Sequence, residues 1–70
     1  MNLSGGIGLN TIEALELAIE EELKARDRYR ELSKQADDPE TRLMFEQIAR
    51  EEEGHYKKLI DRLKAIKLMG

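Results

Sequence analysis

Two glutamates and the chain's single histidine carry the chemistry: Glu22, Glu52 and His55. Glu52 and His55 are spaced as Glu-x-x-His, which on a helix sets them one turn apart on one face. Carboxylate oxygens with one imidazole nitrogen suit iron or manganese better than copper or structural zinc. The sequence has no cysteine, which excludes thiolate ligands and disulfides. Taken alone, a Glu-x-x-His spacing is weak, because a histidine at a core edge is commonly satisfied by a neighbouring glutamate. Its weight depends on where the helices place Glu22.

Two helices must do the placing. Asn10 followed three residues later by Glu13 forms a variant of the capping box, so a helix is predicted over about residues 10–36. Asp37-Asp38-Pro39 then breaks the pattern. Asp38 is a suitable N-cap and Pro39 suits the first helical position, so a second helix is predicted over about 39–67. Lys57, Lys58, Lys64 and Lys67 put positive charge toward its C-terminal end, the sign that end prefers. A tight turn between two long helices makes them antiparallel neighbours.

Periodicity puts the acids on the apolar faces. At ~100° per residue, Phe45, Ile48, Ala49, His55, Tyr56, Leu59, Leu63 and Ile66 lie within ~60° of Glu52. Leu15, Ala18, Ile19, Ala25 and Tyr29 lie within the same ~60° arc of Glu22. Glu20, Glu21, Glu51 and Glu53 point away from these stripes and read as solvated. Counted from the turn at ~1.5 Å per residue, Glu22 and Glu52 are level at roughly 22–23 Å, with His55 one turn farther on. Three ligand-type side chains therefore converge at one depth.

Composition sets the remaining bounds. Seventy residues make one small domain, 40% hydrophobic and 39% charged. A core of that size supplies roughly 3–5 kcal/mol, so the fold requires a partner, a metal or both. A net charge of −3 argues against nucleic acid. No apolar run approaches the ~20 residues of a membrane span. The N-terminus lacks the pattern of a secretion signal, which implies a cytoplasmic setting. Residues 1–9, with Gly5, Gly6 and Gly8, read as a flexible arm. Leu17, Leu23, Met44 and Ile60 fall outside the main stripes and imply a second contact surface.

Ionised carboxylates in an apolar interior are tolerable only when paired or coordinated. In carboxylate-bridged two-metal bundles, two helices each give a Glu and the other two each give Glu-x-x-His. One copy of this chain supplies half that set, and two copies supply six ligands for two ions. The expected architecture is therefore all-α: an antiparallel helical hairpin that dimerises into a four-helix bundle, with two iron ions at the dimer interface and manganese as the other candidate. A different class remains open, a non-catalytic hairpin dimer that binds a partner by its helix faces. There Glu22 would pair with Arg26, and Glu52 with His55 or with Arg50 of another chain.

At these residues the chain resembles the ferritin-like superfamily, particularly rubrerythrins and the short encapsulated ferritins. Ala18-Ile19-Glu20-Glu21-Glu22-Leu23-Lys24-Ala25-Arg26-Asp27-Arg28-Tyr29 is similar to their first metal helix. Asp38-Pro39-Glu40 through Leu43-Met44-Phe45 to Ala49-Arg50-Glu51-Glu52-Glu53-Gly54-His55 is similar to their second. The likeness spans about residues 12–63. It implies Glu22, Glu52 and His55 as metal ligands and catalytic residues, Tyr29 packed near the site, and Glu21 at the route by which metal enters. It also implies oxidation of Fe(II) to Fe(III) with O2 or peroxide for iron storage or detoxification, by a homo-oligomer that extends to a ring and sits inside an encapsulin nanocompartment. A rubrerythrin-like peroxide reductase is the near variant; such enzymes usually carry a rubredoxin domain, which needs cysteines. The chain departs from the pattern at Lys24, where another acid is expected, and at Arg26, where relatives tend to be apolar. Gly54 lies in mid-helix at a cost of ~1 kcal/mol against alanine, with no reason visible in the sequence.

Overall fold

Two long helices and a three-residue link make up the computed structural model, which describes residues 8–69. Helix α1 runs Thr11–Gln35 and α2 runs Pro39–Met69, packed against each other as an all-α hairpin. The expected arm lies outside the described residues except for Gly8 and Leu9. Helix α2 continues to Met69, two residues past the expected end, with Lys67 in its last turn.

The ends form for local reasons. The Asn10 side chain accepts from the Glu13 amide at 2.8 Å, and Glu13 Oε1 accepts from the Asn10 amide at 3.2 Å. Both halves of the capping box are thus made, and two otherwise orphaned amides are satisfied. At the other end of α1, Ala36 turns to extended backbone and its amide donates to the Ser33 carbonyl at 3.4 Å. Asp38 Oδ2 accepts from the Thr41 amide at 2.9 Å and opens α2, with Pro39 at the first position. That bond holds the Asp38 carboxyl below its ordinary range.

The hairpin has little interior. Ala49 and Leu63 are its buried apolar residues, and Ser33 is buried with its hydroxyl donating to the Arg30 carbonyl at 2.8 Å. Tyr29 and Phe45 pack across the helices with ring centroids 6.0 Å apart. Far from the turn, Lys67 Nζ meets Glu16 Oε2 at 3.9 Å. Among the described residues no large side chain is fully buried, while Leu17, Leu43 and Met44 stand exposed. The thinnest dimension spans 14 Å, little more than one helix. Such a slab is one layer where stable domains use at least two. Among the described residues no helix is long and apolar enough to cross a membrane.

Candidate metal centre

The three side chains singled out by spacing meet. His55 Nδ1 lies 3.1 Å from Glu52 Oε1 on its own helix and 3.6 Å from Glu22 Oε1 on α1. One donor atom from each residue lies within 4.8 Å of the others. The meeting follows from helix geometry. Side chains lean toward the N-terminus of their helix, so Glu22 reaches away from the turn while His55 reaches back toward it.

The surroundings are less enclosed than the apolar stripes imply. Glu22 and Glu52 keep 27% and 21% of their side-chain exposure, and His55 keeps 57%. A single hairpin therefore places the trio on an open face and not in an interior.

The electrostatics are those of two acids sharing one place. The hydrogen bond with Glu52 raises the Glu22 carboxyl above its ordinary value; partial burial and the Glu52 charge add to this, and His55 opposes it. The same bond lowers Glu52, helped by His55 and by the Arg28 charge against the cost of burial. The Glu22 carboxyl is thus the one of the pair on which a proton is favoured. Two carboxylates and an imidazole with donor atoms within 4.8 Å of one another form a chemically suitable donor set for a cation.

The neighbours correct several expectations. Arg26 does not pair with Glu22; it bonds Asp27 at 3.0 Å and approaches Glu53 at 4.0 Å. Glu53 is not a solvated bystander, because Arg30 Nη2 donates to its Oε1 at 3.2 Å across the hairpin. Tyr29 packs on Phe45, nearer the turn than the trio. Glu21 is exposed, and Lys24 is tied to Glu20 at 3.7 Å, on the solvent side of α1. Sequence reasoning missed the Arg30–Glu53 link because the two residues differ in height by about two turns of backbone. Opposite leaning of their side chains closes the gap.

The family model described as Rubrerythrin matches residues 13–69 of the chain. No curated protein matches, and no solved structure does.

Proposed function

The chain belongs to the rubrerythrin family, within the ferritin-like superfamily, and from that membership we propose that it is a di-iron carboxylate protein that oxidises Fe(II) to Fe(III) at a site shared by two copies. The observation that supports this is the convergence of Glu22, Glu52 and His55 to within 4.8 Å on an open face. One copy offers three ligands, and a second copy set against the same face offers three more. That makes four carboxylates and two imidazoles for two ions, the ligand set of carboxylate-bridged bundles.

Iron held there supplies a one-electron redox couple, with O2 or peroxide as the electron acceptor. The chain's own residues set the conditions. A cation would be held by the Glu22 and Glu52 carboxylates, of which Glu52 ionises the more readily. His55 is steadied by the Glu52 carboxylate, whose Oε1 lies 3.1 Å from its Nδ1. The covering copy would keep water from the trio. Manganese meets the same donor chemistry.

The family match itself favours a second reading, reduction of peroxide at the same residues. One experiment addresses both. Fe(II) is added without oxygen, then air or peroxide is admitted, and near-ultraviolet absorbance is followed for wild type, Glu52→Ala and His55→Ala. Faster oxidation by wild type in air supports the ferroxidase reading. Turnover restricted to peroxide supports the second. Identical traces for all three proteins would remove both.

A further inference from the structure

The trio meets within a single hairpin, and its donors already stand near the spacing that one ion needs. Donors bound at about 2.1 Å and at right angles lie about 3.0 Å apart. His55 Nδ1 lies 3.1 Å from Glu52 Oε1 and 3.6 Å from Glu22 Oε1. One donor atom from each residue falls within 4.8 Å of the other two. Small side-chain rotations close the remainder, since all three side chains are partly exposed.

Charge sets the order of events. Two metal-free trios brought face to face would crowd four carboxyl groups into one interface, where carboxylates without a partner are costly. A divalent cation on each trio offsets its two formal carboxylate charges in advance. Access points the same way. His55 keeps 57% of its side-chain exposure, so a cation reaches the donors straight from solvent. A covering copy would close that route.

We propose that a single hairpin takes up one divalent cation through Glu22, Glu52 and His55, and that a second copy closes over the loaded trio afterwards. This rests on the metal reading above and adds an order to it, ion first and cover second. Loading in that order needs no passage through a finished assembly. The entry route that the family resemblance assigns to Glu21 is then not required.

The test is Mn(II) uptake by the full-length protein, read from loss of the free-ion electron paramagnetic resonance signal. Sedimentation gives the mass of the species that takes up the ion, and circular dichroism its helicity. Dilution takes the protein toward single chains, and Met44→Lys gives a second route to them. Met44 is 52% exposed, turned only ~20° from His55 and roughly 16 Å nearer the turn along α2. A lysine there opposes a covering copy without reaching the donors. Single chains of wild type and of Met44→Lys should each bind one Mn(II). Glu52→Gln and His55→Ala should weaken that uptake roughly tenfold or more, the loss that even an outer partner of a metal ligand brings. Glu51→Gln, at an exposed neighbour, should not. Uptake confined to species of two or more chains would overturn the order and leave the shared site standing. Single-chain uptake indifferent to Glu52→Gln and His55→Ala would overturn the assignment of the donors. Uptake by no species at any concentration would overturn the metal reading as well.

Discussion

Glu22 on α1 and Glu52 on α2 hold each other's protonation apart: the bond between them raises the first carboxyl and lowers the second. The largest cause of each shift lies on the facing helix. The pairing turns a pH titration into a report on hairpin geometry.

The first prediction follows from its sign. Glu22 is raised in the folded protein, so its stabilising contribution is complete below the ordinary glutamate range. That contribution is lost as pH rises through the folded value. Glu22→Gln keeps a hydrogen-bonding partner and removes the ionisation. In chelator it should melt above wild type at neutral pH, and the gap should close in acid. A gap that widens in acid would refute the upward shift of Glu22.

Asp38 should respond in the opposite sense. Its carboxyl is lowered by the Thr41 amide, so the stability it contributes is present above the ordinary aspartate range and lost as pH falls through the folded value. Asp38→Ala should lower the melting temperature at neutral pH, with the difference from wild type vanishing in strong acid.

Metal should stabilise by mass action. At free Fe(II) or Mn(II) one hundred times the dissociation constant, the gain is about 2.7 kcal/mol. Anaerobic melts should show it in wild type and lose it in Glu52→Ala and His55→Ala. An equal rise in all three would place the ion elsewhere.

Core and surface leucines should separate sharply. Leu63 is 9% exposed, and Leu63→Ala should cost about 2–5 kcal/mol, comparable with all the stability a hairpin of this size has. Leu68 is 88% exposed, and Leu68→Ala should stay within about 0.5 kcal/mol. Denaturant melts at one fixed protein concentration compare the two.

The Arg30–Glu53 bridge is partly exposed and should be worth little. Glu53→Gln should cost less than about 1 kcal/mol, and the cost should shrink in high salt. A larger, salt-independent loss would assign Glu53 a part in holding Glu52.

The hairpin was legible because its signals agree. Asn10 and Glu13 announce one helix, Asp38-Pro39 opens the next, and a single apolar stripe runs along each. Counting residues from the turn was enough to bring Glu22, Glu52 and His55 together. It failed for longer side chains. Arg26 was free to choose among Glu22, Asp27 and Glu53, and its flexible stem settles on the last two. Glu53 looked solvent-facing by angle alone, yet Arg30 leans far enough along α1 to reach it. Ser33 gave no apolar signal; it is buried near the turn, where its hydroxyl is satisfied by its own helix backbone.

The slab's thinness has a consequence for supply. Two helices with almost nothing inside can bury more of their apolar surface only against whatever covers them. Where the cover is another copy, finished sites grow as the square of the free chain. Halving a scarce pool would then remove roughly three quarters of them, by mass action. Dosage, as much as sequence, would decide how many trios are covered.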